Sequence, residues 1–300
     1  MAEAPSERGQ HGHLLIIGGG EDRKHSKEIL CRFIELAGGP DKTIAVITAA
    51  SKIPEDMWAI YDQAFGELGV KNRVAIHARS RAEANDPQLA RKVAEADGIF
   101  MTGGDQKRLL AMIGGTELDA AMHSALKLRG ACIGGTSAGA SAMSGHMLAD
   151  GKADLNPEKG SVSLGAGLGF VQKVVIDQHF SERHRLSRLL TVVAQNPYLQ
   201  GVGIDENTAL VVERGVGIEV IGDGSVTIVD GRAMISNVAD IRDRGTPELI
   251  DVRLHLLPGG SSYSLPDEAG VAGAHTPAMP ETPAPLLDFL RNITKRNPLS

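Results

Sequence analysis

Short aliphatic runs alternate with amphipathic stretches from residue 13 onward. Residues 14–17, 44–47, 74–76 and 98–101 are continuous apolar runs of strand length, and 24–37, 54–68 and 87–96 between them carry helical patterns. Continuous apolar strands separated by helices predict a parallel sheet covered on both faces. Residues 131–134 predict a further strand with a helix from Ser137, and 174–177 another strand with a helix over about 182–194. After residue 201 the rhythm changes: 202–204, 209–212, 217–221 and 226–229 are close-set strands, with Gly222-Asp223-Gly224 as a hairpin signal. The expected fold is α/β, a mostly parallel sheet flanked by helices with a C-terminal antiparallel extension. Residues 1–12 read as a flexible leader and 13–265 as a single α/β domain, with a last strand near 252–257. Residues 266–300 read as a mobile Pro-rich tail with a short helix near 285–294.

Composition narrows the class. Of 300 residues, 42% are apolar, enough for a real core, and only 3% are aromatic, so aliphatic side chains must build most of it. A net charge of −6 argues against a nucleic-acid or anionic-membrane binder. Cys31 and Cys132 form no disulfide framework and show no metal spacing, so both read as buried free thiols. No run approaches the roughly 18 apolar residues of a membrane span, and the N-terminus lacks the apolar stretch of a signal peptide. A soluble cytoplasmic protein without metal or cofactor is the expectation.

In a doubly wound sheet, chemistry gathers beyond the carboxyl ends of the strands. Gly18-Gly19-Gly20-Glu21, Thr48, Thr102–Gln106, Gly135–Ser137, Gln178-His179 and Asp205-Glu206 all fall there. Gly135-Thr136-Ser137-Ala138-Gly139 satisfies the G-x-S-x-G spacing at a strand-to-helix turn, the sign of a nucleophile elbow. A serine hydroxyl needs a base, usually an imidazole. His179 ends a strand on the same rim as Ser137, and His184 in the next helix is the alternative. The base needs an acceptor on its other nitrogen. Strand alternation lets only one of Asp205 and Glu206 face the site, and Glu206 is favoured. Backbone N–H groups of Ala138 and Gly104 are the oxyanion-hole candidates; the plainer reading of Gly104 is an ordinary turn with Asp105 capping the next helix. Arg185 and Arg188 share a helix face, whereas Arg183 in the first turn opposes the macrodipole. Arginine forks suit a substrate bearing carboxylates, and surface salt bridging is the competing account.

Other motifs fail. Arg23 stands where a third Rossmann glycine belongs, no Gly-Lys-Ser/Thr follows, and His179 with His184 makes poor zinc geometry.

Four segments together resemble cyanophycinase, a serine exopeptidase related to peptidase E: Gly-Thr-Ser-Ala-Gly-Ala (135–140), Thr-Gly-Gly-Asp-Gln (102–106), Asp-Gln-His-Phe with the arginines downstream (177–188) and Gly-Ile-Asp-Glu-Asn-Thr-Ala (203–209). They stand in the family's order, within roughly residues 13–260. The resemblance implies a flavodoxin-like or class I glutamine-amidotransferase-like fold, usually dimeric, and a triad of Ser137, His179 and Glu206. It places Gln106, Asp177, Gln178, Arg183, Arg185, Arg188 and Asn207 at substrate-pocket positions. It implies cyanophycin as substrate, a poly-aspartate with an arginine on each β-carboxyl, and β-Asp-Arg as product. A peptidase E-like aspartyl dipeptidase and a non-catalytic peptide-binding protein on the same fold are the alternatives.

Overall fold

The protein is described by a computed structural model over residues 12–266 and 282–295; the other leader and tail positions lie outside the described residues. The N-terminal half runs β1 (His13–Ile17), α1 (Glu28–Leu36), β2 (Thr43–Ile47), α2 (Pro54–Glu67), β3 (Asn72–Ile76), α3 (Arg81–Ala84), α4 (Pro87–Ala94), β4 (Gly98–Met101), α5 (Gln106–Ile113), α6 (Glu117–Arg129) and β5 (Cys132–Thr136). A single turn, α7 (Ala138–Ser141), leads to the hairpin β6 (His146–Gly151) and β7 (Val162–Ala166). Then come β8 (Val174–Gln178), α8 (Leu186–Gln195), β9 (Gln200–Ile204), β10 (Thr208–Glu213), β11 (Gly217–Gly222) and β12 (Ser225–Asp230). The small pair β13 (Ile235–Ser236) and β14 (Leu249–Ile250) precedes β15 (Arg253–Pro258), β16 (Ser262–Ser264) and α9 (Ala284–Ile293).

The fold is α/β, as the apolar pattern predicts. Strands β3, β2, β4, β5 and β1 are parallel neighbours, and β10, β11 and β16 extend the β1 edge antiparallel. A second sheet, in the order β15-β12-β9-β8, was not foreseen. Only β8 and β9 are parallel in it. The hairpin expected at Gly222–Gly224 is corrected: β11 pairs with β10 and β16 while β12 pairs with β9 and β15, so this turn carries the chain from one sheet to the other.

Two registers position the site. Ile17 lies beside Thr136, so the loop after β1 and the turn after β5 leave the large sheet together. Gln178 lies beside Ile204, so His179 and the 205–207 link leave the small sheet together. That link then enters β10 of the large sheet.

One buried cluster joins the two sheets, with Leu14, Ile16 and Ile133 on one side and Ile176, Val202 and Ile228 on the other. The opposite face of the large sheet packs on α1 and α2, and there the scarce aromatics concentrate. Phe33, Tyr61 and Phe65 surround Phe100 with ring centroids 4.9–5.6 Å from its own, spacings favourable for tilted aromatic pairs.

Several expected boundaries move for local reasons. Helix α1 starts at Glu28 rather than 24 because the Asp22 carboxylate accepts the backbone N–H groups of Lys24, His25 and Lys27 and holds 22–27 as a loop. Those bonds hold the Asp22 carboxyl far below its ordinary pKa. Helix α8 starts at Leu186 rather than 182, after a turn with His184 at φ 50°. Arg183 therefore precedes the helix, and its conflict with the macrodipole disappears. The mobile-tail expectation is corrected for 284–293. There α9 buries Leu286, Phe289, Leu290 and Ile293 in the main cluster, and Thr294 O accepts from Gly215 N at 2.9 Å.

Candidate active site

Thr136 ends β5, and the chain turns at Ser137 with φ 52° and ψ −110°. A non-glycine residue there is strained, and such conformations persist only where the surroundings enforce them. Ser137 N donates to Ile17 O at 3.1 Å, and Ser137 O accepts from Ser141 N at 3.0 Å. The flanking glycines are steric requirements. A Cβ at Gly135 would meet the Gly139 carbonyl at 2.7 Å, and one at Gly139 would meet Met101 O at 2.5 Å.

His179, also at positive φ (49°), presents its ring to this turn. Its Nε2 lies 2.9 Å from Ser137 Oγ and its Nδ1 2.5 Å from Glu206 Oε1. An ionised carboxylate only accepts, so Nδ1 carries the proton and the Nε2 lone pair faces the hydroxyl. The His179 side chain is 12% exposed and that of Glu206 40%, so the imidazole is shielded while its carboxylate partner meets solvent. Asp205 turns the other way, taking Ser181 N, Ser225 N and Ser225 Oγ. His184 is exposed in the turn before α8.

The loop after β1 underlies this line. A Cβ at Gly19 (φ +97°) would stand 2.3 Å from the His179 ring, and one at Gly20 2.9 Å from Glu206 Oε2. His179 N donates to Gly18 O at 2.7 Å. The glycines exist to let a backbone pass directly beneath the imidazole and carboxylate.

Of the oxyanion candidates, Ala138 is buried at the start of α7. Gly104 (φ +147°) packs so close to Ala50 that a Cβ would sit 2.3 Å from its carbonyl oxygen. Gly103 is the nearer neighbour of the nucleophile turn, its would-be Cβ 3.5 Å from Ser137 Cβ. Asp105 caps α5 through Lys107 N and Arg108 N, as the plainer reading anticipates.

The charged residues divide into two groups. Asp177 is buried, and Arg188 reaches it through Nε to Oδ2 at 2.6 Å and through Nη2 to Oδ1. Arg188 Nη1 also donates to Gly151 O at 2.8 Å. Arg185 Nη1 lies 3.2 Å from both Asp177 Oδ1 and Gln178 Oε1, and also donates to Gln178 O. Burial lowers the Arg185 pKa to about 10 against the opposing pull of Asp177. Gln178 Oε1 is 3.4 Å from Ser137 Oγ, linking this buried group to the hydroxyl. Arg183, by contrast, is exposed. Gln106 is spent on Leu148 O at 3.2 Å, and Asn207 ties Asp22 N to Asp223.

Residues 14–220 match the family described as peptidase family S51. The chain belongs to that family. It is 40% identical over 261 residues to a cyanophycinase of Geminocystis herdmanii (strain PCC 6308), covering 87% of this chain and 96% of that one. It is 37% identical over 258 residues to a cyanophycinase of Synechococcus elongatus, covering 86% and 80%. The fold matches a peptidase from an acI-B1 actinobacterium with a TM-score of 0.64 at 23% identity, covering 85% of this chain and 98% of that chain. It also matches a putative peptidase E protein from Listeria monocytogenes EGD-e with a TM-score of 0.50 at 17% identity, covering 70% and 98%. As an S51 member the protein is a serine-type peptidase. Among the described residues no group of three or more His, Cys, Asp or Glu is arranged to hold a metal ion.

The contacts of two glycine pairs in this S51 site are not legible in sequence. Gly19 and Gly20 stand on the strand-end rim in the sequence, but only the structure shows that they pack against His179 and Glu206. Gly103 and Gly104 form one Gly-Gly pair after β4, and the sequence does not show that a Cβ at Gly103 would lie 3.5 Å from Ser137 Cβ.

Proposed function

We propose that the protein is an exopeptidase that degrades cyanophycin to β-Asp-Arg dipeptides through an acyl-enzyme. The hydrogen-bonded line Ser137–His179–Glu206 carries the proposal. His179 Nε2 takes the hydroxyl proton as Ser137 Oγ attacks the backbone carbonyl, and Glu206 holds the imidazolium that forms. The tetrahedral oxyanion is assigned to the N–H groups of Ala138 and Gly104. His179 then passes the proton to the leaving amine, and water, deprotonated by the same nitrogen, frees the acyl group.

Charge supports a substrate rich in carboxylates. Asp177 offsets one of the two buried guanidinium groups, which leaves one positive charge in excess behind Gln178. Exposed Arg183 adds a second, positioned to meet a carboxylate in solvent. Gln106, Gln178 and Asn207 belong to the same proposed pocket. A homodimer in the cytoplasm is part of this reading and rests on the family resemblance; among the described residues no helix is long and apolar enough to cross a membrane.

The test is mass spectrometry of products after incubation with purified cyanophycin. β-Asp-Arg is expected from the native protein and none from Ser137→Ala. Free aspartate released from Asp-X dipeptides, with the polymer untouched, would transfer the assignment to aspartyl dipeptidase.

A further inference from the structure

Glu21 follows the glycine loop and is buried, although nothing in the proposed chemistry uses it. Its Oε2 accepts from Thr136 Oγ1 at 2.5 Å, and its Oε1 accepts from the Tyr61 hydroxyl of α2. Burial, with the neighbouring carboxylate, pushes the Tyr61 phenol well above its ordinary pKa, so it stays a donor. The Arg23 guanidinium lies 5.7 Å above the Tyr61 ring. A buried carboxylate is tolerated only when such donors satisfy it.

The position of this carboxylate matters more than its burial. Thr136 is the residue before strained Ser137. Glu21 also closes a loop that touches the other two members of the line. Gly18 O accepts from His179 N, Gly19 O accepts from Asn207 N at 2.9 Å, and Asp22 N donates to Asn207 Oδ1 at 2.8 Å. Ser137 follows a strand of the large sheet, His179 follows a strand of the small one, and Glu206 lies on the link between them. The 18–22 loop is thus fastened to His179 itself and to Thr136 and Asn207, the chain neighbours of Ser137 and Glu206.

We infer that Glu21 is a positioning residue: its bond to Thr136 locks the 18–22 loop against the nucleophile turn and thereby sets the distance between Ser137 and His179. The inference rests on the proposed hydrolytic role of that line. A displacement of 1 Å can cost on the order of 100-fold in rate.

In Glu21→Gln, kcat on cyanophycin should fall on the order of 10- to 100-fold with KM changed less than about twofold. Thr136→Val, which removes only the hydroxyl, should reproduce the loss, and Thr136→Ser should restore most of it. The double variant Glu21→Gln/Thr136→Val should lose no more than either single one. Crystal structures of the folded variants should show Ser137 Oγ withdrawn from His179 Nε2. Should Glu21→Gln fail to fold, the Thr136 pair carries the test. Unchanged kcat and an unchanged Oγ–Nε2 distance in folded Thr136→Val would overturn the inference, as would a rise in KM alone. Wild-type protein inert toward cyanophycin would sink the substrate reading instead, and the crystallographic distance would still decide the role of Glu21.

Discussion

Replacing Asp177 by Asn separates a structural brace from a substrate ligand. Asp177 is 1% exposed and takes Arg188 through two nitrogens and Arg185 through one. The amide keeps one acceptor and removes the only carboxylate of the group, leaving two buried guanidinium groups facing each other. Breaking a buried ion pair on one side costs about 3–5 kcal/mol, because the surviving charge stays buried and uncompensated. For a chain of this length each kcal/mol moves Tm by about 2 °C, so a fall of about 6–10 °C is expected. The second variant Asp177→Asn/Arg188→Met removes one of the stranded cations and should recover part of the loss, a non-additivity expected of groups in contact. Scanning calorimetry of the single and double variants, with KM and kcat measured well below the transition, provides the assay. An unshifted Tm in Asp177→Asn combined with a raised KM would show that the carboxylate serves the ligand and refute the brace.

Arg183→Ala should behave in the opposite way, with Tm unmoved and KM for cyanophycin raised several-fold, on the order expected for loss of one charge-assisted contact; steady-state kinetics beside calorimetry checks it. Gly19→Ala places a methyl 2.3 Å from the His179 ring at φ +97°. It should reduce kcat at least 100-fold, on the order set by a displaced catalytic group, with product release from cyanophycin as the readout. Burial drives the Cys132 thiol far above its ordinary pKa, so at pH 8 it holds its proton and does not react as thiolate. Iodoacetamide at pH 8 should therefore label Cys31, which is partly exposed, and reach Cys132 only in denaturant, as peptide mass spectrometry will show.

What sequence can reveal depends on how local each signal is. Ser137 is legible because G-x-S-x-G is a short local pattern after an apolar strand: Gly135 answers to its own turn, although Gly139 answers to Met101 of β4. His179 and Glu206 are legible because each directly follows an apolar strand, and strand ends converge in α/β proteins. The second sheet is not legible. Val174–Gln178 and Gln200–Ile204 are fully buried like the central strands of the large sheet, and a fully buried strand carries no mark of which sheet it joins. Pairing between Asp177 and Arg188 joins a strand to a helix, so the arginines look equally available in sequence although only Arg183 is exposed. The helix near 285–294 is legible and stands as α9, but its docking is not, because Leu286, Phe289, Leu290 and Ile293 carry no mark of the surface that buries them.

The division of the site between two sheets has a physical consequence. Ser137 is held by β5 of the large sheet and His179 by β8 of the small one, and only the docking of the two brings Oγ to 2.9 Å from Nε2. The interface that docks them is mostly aliphatic, with Ile16, Ile133, Ile176 and Val202 in one cluster. Such contacts fix the separation of two layers but resist sliding weakly, because hydrophobic attraction is non-directional. Directional bonds must therefore set the register of the hydroxyl against the imidazole. The 18–22 loop supplies them, receiving His179 N and Asn207 N from the small-sheet side while Glu21 anchors it to Thr136 on the other. Active-site geometry is thus a property of the sheet–sheet junction, and a substitution that loosens the junction should extinguish activity before it unfolds the chain.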